Sequence, residues 1–372
     1  MRRILLVSLI AGFALLAPVA HGQDEAAKKP VSPDADSNQE SDGAMPASRA
    51  AALRRRAAEA GVVPDTIELI ENVVYAEAPA ASGESIPLTL DAAFLRQSDG
   101  KPMPAIVYIH GGGYVGGSKE SGRPFIIPTA QGGYFAASIN YRLSDQAKYP
   151  AAVHDCKAAI RFLRANADVL GIDPNRIGVW GHSAGGHLSA LIGSSGNSDA
   201  LDGDVGQAGV SSAVACVVNI SGPTDFIALA DAHAAARGQN RDATESFESR
   251  WFGAPVNQVR EKAIEASPMT YVDKDDPAFL IVHGMNDNLV PLEQAVLLTD
   301  ALKAQGVEVQ YLPIDGAGHD IRDHAVYVSI GKFFDAKLGG KLADALDPSG
   351  QKQERPAAPA LQRRVPPAVR GK

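Results

Sequence analysis

Ile177-Gly178-Val179-Trp180-Gly181-His182-Ser183-Ala184-Gly185-Gly186-His187 joins a short apolar run to a helical pattern through a G-x-S-x-G turn. In so tight a strand-to-helix turn, side chains at positions 181 and 185 would collide with neighbouring strands, which accounts for the two glycines. The turn lifts the Ser183 hydroxyl above the sheet and directs the unpaired N–H groups of the following helix to the same spot. The five-residue string alone is common. Bracketed by strand and helix it is rare, and it marks Ser183 as a nucleophile rather than an idle turn serine.

On either side of this turn, strand-length apolar runs alternate with longer helical patterns, the order that builds a parallel sheet. Strands are expected at 67–76, 86–95, 105–109, 134–139, 177–180, 213–220, 278–282 and 307–312. The later runs lack polar alternation, as strands covered by helices on both faces should. Helices are expected at 151–170, 184–192, 292–305 and 324–338, with Gly171 and Gly306 at C-terminal stops and Pro291 at an N-terminal start. The fold class is therefore α/β: a mostly parallel sheet of about eight strands with helices on both faces and a short antiparallel start. Two stretches break the alternation. Residues 193–212, rich in Gly, Ser and Asp, read as a surface loop, and 231–268 as a small cap insertion carrying Trp251 and Phe252.

A nucleophilic serine needs donors for the oxyanion, a base and an acid partner. His110-Gly111-Gly112-Gly113-Tyr114 follows the strand at 105–109; backbone N–H groups of a glycine run can approach a substrate closely. Gly111 and Gly112, with Ala184, are the candidate oxyanion donors. Among nine histidines, position in the chain disfavours most. His21 lies near the N-terminus, His154 and His324 in helical patterns, and His187 one turn below Ser183. His182 is directed away from Ser183 by the turn. His319, in Gly316-Ala317-Gly318-His319-Asp320, follows the last strand and is the candidate base, since ligands bind at the C-terminal edge of parallel sheets. Asp287, in His283-Gly284-Met285-Asn286-Asp287, is the candidate acid; Asp225 is its rival, although a helix cap explains Asp225 equally well. Tyr114, His182 and Trp251 are candidate pocket residues.

With the Ser183 turn extended to His187, the 110–114 loop and the 283–291 segment, the chain resembles the α/β-hydrolase superfamily over residues 66–338. It is similar to the esterase and lipase group containing hormone-sensitive-lipase-like, feruloyl and acetylxylan esterases. The former usually carry an acidic residue where His182 stands, which favours the feruloyl and acetylxylan side. The resemblance implies hydrolysis of carboxylic esters through an acyl-enzyme, without metal or organic cofactor. Its Ser, Asp, His order matches Ser183, Asp287 and His319. Short-chain or aromatic esters, acetyl or feruloyl groups on polysaccharide among them, are the expected substrates. Cleavage of peptides or formamides is the alternative within the same fold, and a non-catalytic adhesion module the alternative outside enzymes.

The chain of 372 residues is 45% hydrophobic and 21% charged, enough apolar side chain for a large core. The net charge of −8 is uneven: residues 1–22 carry +2, 23–60 carry −1, 61–347 carry −14 and 348–372 carry +5. An acidic body repels phosphate backbones, so nucleic acid is not an expected partner. Arg2 and Arg3 before a 13-residue apolar run at 4–16, with Ala20 and Gly22 ahead of Gln23, read as a signal peptide too short to span a membrane. The domain plan is a leader at 1–22, a disordered linker at 23–60, a catalytic domain at 61–347 and a disordered basic tail at 348–372, with a secreted or periplasmic destination. Cys156 and Cys216 sit in buried helix and strand patterns and read as packing residues, with one bridge between them left open. Nothing in the sequence sets the oligomeric state.

Overall fold

The computed structural model describes residues 63–97, 100–196, 198–237 and 246–348. The expected leader, the whole of the linker, nearly all of the basic tail and 238–245 of the insertion lie outside the described residues.

Eight strands form one sheet: β1 (Ile67–Pro79), β2 (Ser85–Leu95), β3 (Met103–Ile109), β4 (Phe135–Ile139), β5 (Ile172–His182), β6 (Cys216–Ile220), β7 (Ala278–Gly284) and β8 (Val309–Ile314), in the order β1-β2-β4-β3-β5-β6-β7-β8. β1 pairs with β2 and β2 with β4 antiparallel; every other pairing is parallel. This is the mostly parallel eight-stranded α/β-hydrolase sheet expected from the sequence.

Helices cover both faces. α1 (Arg123–Gln131) precedes β4; α2 (Ala151–Ala165) and α3 (Ala167–Leu170) precede β5; α4 (Ala184–Ser194) follows it, and α5 (Asp199–Asp202) lies before β6. α6 (Phe226–Arg237), α7 (Phe247–Phe252) and α8 (Arg260–Glu265) lie between β6 and β7, α9 (Glu293–Ala304) between β7 and β8, and α10 (His324–Leu338) and α11 (Leu342–Leu346) close the described chain. β3 and β6 are buried along their whole length. Alternate residues of β3 divide the core. Ala105, Val107 and Ile109 join Cys156, Ile160, Leu163, Leu188 and Leu191 on one face, while Ile106 and Tyr108 join Trp180, Cys216, Phe334 and Leu338 on the other. Both cysteines are free and buried, and they belong to different clusters. The bridge left open by the sequence does not form.

Several elements depart from expectation, α11 among them, which lies beyond the last expected helix. α1 was not anticipated, because Pro124 and Pro128 fall within the run; Pro124 occupies the helix start, where no N–H is needed. The expected helix at 151–170 is two helices joined at Asn166, whose φ of −104° and ψ of 17° leave the helical region. The expected loop at 193–212 contains α5. Among the described residues no helix is long and apolar enough to cross a membrane.

One buried ion pair ties the edge of the sheet to its flanking helix. The Arg142 guanidinium, just beyond β4, donates to Asp155 of α2 over 2.6–3.1 Å, and the Arg142 backbone N–H donates to the same carboxylate at 2.8 Å. Arg142 Nη1 also donates to the Pro79 carbonyl at the end of β1, at 2.8 Å. Breaking one partner of a buried pair strands the other charge in a poor dielectric. Asp155→Ala should therefore lower unfolding stability by about 3–5 kcal/mol, read from the midpoint and slope of urea denaturation.

Candidate active site

The elbow is built by close backbone contact. Ser183 adopts φ 58° and ψ −123°, a conformation that costs a non-glycine residue about 1–3 kcal/mol and persists only when its surroundings impose it. They do so here. A Cβ on Gly185 would run into the Ile109 carbonyl of β3, and a Cβ on Gly181 would strike Gly185 itself. The Ser183 N–H donates to the Ile220 carbonyl of β6 at 2.8 Å, and the Ser183 carbonyl accepts from the His187 N–H at 3.0 Å, starting α4. The turn is thus pinned between β3 and β6.

His319 lies on the loop after β8, and its side chain is 17% exposed. Its Nε2 is 2.9 Å from Ser183 Oγ and its Nδ1 is 2.8 Å from Asp287 Oδ2. Because a carboxylate only accepts, Nδ1 carries the proton and Nε2 presents its lone pair to the hydroxyl. Asp287, on the loop after β7, receives further bonds on its other oxygen from the N–H groups of Leu289 and Val290 at 2.8 and 2.9 Å. Burial by itself would raise the Asp287 carboxyl. Hydrogen bonds from His283, His319 and Val290 outweigh it and hold the group well below the usual carboxylate range. The structure therefore brings Ser183, His319 and Asp287 together. Asp225 is elsewhere: its Oδ1 accepts from the N–H groups of Ile227 and Ala228, both at 2.9 Å, as a cap of α6.

The glycine loop stands over the serine. A Cβ on Gly111 would lie 3.4 Å from Ser183 Cβ and 2.7 Å from the His182 carbonyl, so only a residue without one fits. The loop's carbonyls are engaged within it: Gly111 O accepts from His110 Nδ1 at 2.8 Å, and Gly112 O accepts from the N–H groups of Val115 and Gly116 at 3.1 and 3.2 Å. Among the described residues, the Gly111 and Gly112 amides make no backbone hydrogen bond in the turns and loops. The Ala184 N–H belongs to the first turn of α4, which has no intrahelical acceptor. His110 is stacked on Tyr141 with ring centroids 4.3 Å apart, and the Tyr141 hydroxyl donates to the His110 carbonyl at 2.9 Å.

Three sequence expectations change. Tyr114 and Trp251 are 2% and 1% exposed and stack on each other at 4.1 Å, edge-on to His187. They form a closed wall behind the elbow rather than the lining of an open pocket, because flat apolar rings bury more area against one another than against water. His182 is not turned away from the site: its Nε2–H donates to the His319 carbonyl at 2.8 Å, and the two rings lie 4.8 Å apart. Burial lowers its pKa, the bond to His319 opposing, so it acts as a neutral donor that fixes the loop of the base. His283, to which the sequence assigns no role, also joins the site. Its Nε2 lies 2.8 Å from the Val290 carbonyl and 3.3 Å from Asp287 Oδ2, bracing the acid from behind. Its only signal was a place four residues before Asp287, which by itself does not imply contact in a strand-to-loop segment.

A serine, a histidine and a carboxylate converging at the ends of parallel strands define the site of an α/β-hydrolase. The BD-FAE family model matches residues 90–302, and the chain belongs to that family. It is similar to Esterase LipC of Mycobacterium tuberculosis, 33% identical over 257 residues that make up 68% of this chain and 60% of that protein. The chain thus spans less than two thirds of the length of that relative. Among solved structures it is similar to a truncated carbohydrate esterase from gut microbiota, at 29% identity and a TM-score of 0.64 over 74% of this chain and 98% of that one. A propionate-bound esterase of Thermogutta terrifontis is 25% identical, with a TM-score of 0.57 over 74% of this chain and 95% of that one.

His187 gives the site's support a pH limit. Burial lowers its pKa to about 4, although its Nε2–H donates to the Ala266 carbonyl at 2.8 Å. An unfolded imidazole titrates near 6.5, so its contribution is complete above that pH and is lost as pH falls towards 4, a span worth about 3 kcal/mol. Urea denaturation at pH 7 and pH 4.5 should show the wild type losing roughly 2–3 kcal/mol more than His187→Gln, which keeps an N–H donor but does not titrate.

Proposed function

We propose that the chain is a serine carboxylesterase that hydrolyses short-chain or aromatic carboxylic esters through an acyl-enzyme. The observation that carries this reading is the unbroken line from Ser183 Oγ to His319 Nε2 at 2.9 Å and from His319 Nδ1 to Asp287 Oδ2 at 2.8 Å.

In this reading Ser183 Oγ attacks the ester carbonyl carbon as its proton passes to His319 Nε2. The carbonyl π electrons move to oxygen, where the N–H groups of Gly111, Gly112 and Ala184 meet the negative charge. Asp287, held ionised, balances the imidazolium. Collapse of the tetrahedral species breaks the bond to the alcohol oxygen, which takes the proton from His319 and leaves. Water then loses a proton to His319 and attacks the acyl-serine; the second collapse returns the proton to Ser183 Oγ and frees the carboxylic acid.

Acetyl or feruloyl esters on polysaccharide are the favoured substrates, encountered outside the cytoplasm. Two things support this: the leader-like start of the sequence and the likeness to a protein titled a carbohydrate esterase. The closed wall of Tyr114, Trp251 and His187 behind the elbow disfavours long acyl chains.

Ser183→Ala should abolish ester hydrolysis and labelling by a fluorophosphonate probe while its circular dichroism matches wild type. Retained turnover would remove Ser183 as nucleophile. Asp287→Asn should keep the geometry but lower kcat by about 10⁴-fold, because the wrong histidine tautomer is then favoured. A panel of acetyl, butyryl, palmitoyl and feruloyl esters of one alcohol should show high kcat/KM for the acetyl or feruloyl member and little for palmitoyl.

A further inference from the structure

The insertion places one aromatic ring where the fold does not need it. Phe247 opens α7, whose start is capped by Ser246 Oγ accepting the Ser249 N–H at 3.0 Å. Trp251 and Phe252, at the other end of the same helix, are 1% and 3% exposed and anchor it in the core. Phe247 is 41% exposed. Its ring is nonetheless in a defined place: a Cβ on Gly113 would stand 2.6 Å from Phe247 Cδ1, so the ring rests on the backbone of the glycine loop. Gly113 is two residues from Gly111, which faces Ser183. An apolar face is therefore presented to solvent at the rim of the candidate active site.

We infer that Phe247 is the platform for the sugar ring that carries the ester, and so sets specificity on the alcohol side. This rests on reading Ser183, His319 and Asp287 as an ester-cleaving array. During attack the carbonyl oxygen must face the loop amides, and the closed wall behind the elbow leaves no room for a large acyl group. In a sugar acetate the acyl group adds only one methyl, so most of the substrate's surface belongs to the alcohol. The face of an aromatic ring carries negative charge density, and a pyranose offers a flat array of slightly positive C–H groups to match it. A small alcohol such as ethanol offers no such surface.

The test uses the full chain, acetylated xylotriose and ethyl acetate, and the variants Phe247→Ala and Phe247→Trp. The ratio of kcat/KM for acetylated xylotriose over ethyl acetate should fall about tenfold in Phe247→Ala, carried by KM, and stay within about twofold of wild type in Phe247→Trp. Unacetylated xylotriose should inhibit ethyl acetate hydrolysis by wild type at concentrations that leave Phe247→Ala unaffected. An unchanged ratio, equal losses on both esters, or a Trp variant as poor as the Ala variant overturns the platform. Wild type that cleaves ethyl acetate but discriminates against acetylated xylotriose overturns this inference and leaves the esterase reading standing. Wild type that cleaves neither and resists the fluorophosphonate probe overturns both.

Discussion

The close approach of the Gly185 backbone to the Ile109 carbonyl is the constraint on which the rest of the site depends. It forces β5 to turn into α4 with no room for a side chain, and it leaves Ser183 at positive φ with its hydroxyl aimed out of the sheet. The strain is sustained because the same residues are fixed from two sides, by β3 through Gly181 and Gly185 and by β6 through the bond from the Ser183 N–H to Ile220. β3, whose end presses on the elbow, also launches the glycine loop. The candidate nucleophile and the candidate oxyanion donors are consequently positioned by one pair of adjacent strands, and a shift in either would move both.

The candidate base and acid arrive by a different route. His319 and Asp287 lie on loops after the last two strands, where parallel pairing of β7 with β8 sets their separation. Loops are mobile unless tied down, and here each tie is a histidine ring or a backbone amide. His182 holds the His319 carbonyl, His283 stands behind the Asp287 carboxylate, and the Leu289 and Val290 amides occupy its second oxygen. These hydrogen bonds outweigh the burial of Asp287 and keep its carboxylate ionised beside His319.

The insertion after β6 contributes packing on one side and an exposed ring on the other. Trp251 and Phe226 close the wall with Tyr114 and His187, joining the cap helices to the elbow helix through aromatic contact. Expecting Trp251 at the pocket was reasonable from composition alone, since an aromatic residue in an insertion beside a strand end has two available fates. Position along the helix, not phase, separates them: four residues apart, Phe247 and Trp251 lie on nearly the same face of α7, yet the ring of the first turn meets the glycine loop and solvent while the ring of the last turn is sunk in the core.

Much of the fold was legible because its signals are local. Apolar runs without polar alternation required strands buried on both faces, and the glycines at 181 and 185 required a tight turn at Ser183 wherever the rest of the chain went. α1 was hidden because Pro124 and Pro128 carry opposite implications at a helix start and in its interior. The order of Ser183, Asp287 and His319 along the sequence, together with their places after apolar runs, was enough to nominate the array and to set Asp225 beside it as a rival. What decided between the two carboxylates was distance across the sheet, which depends on the strand order β5-β6-β7-β8 and on register. The second function of His182, the brace supplied by His283 and the exposure of Phe247 were likewise settled only by the tertiary structure. Periodicity reports which face of an element is apolar, whereas a hydrogen bond between a strand end and a loop 137 residues apart, as between His182 and His319, depends on how those elements are assembled in space.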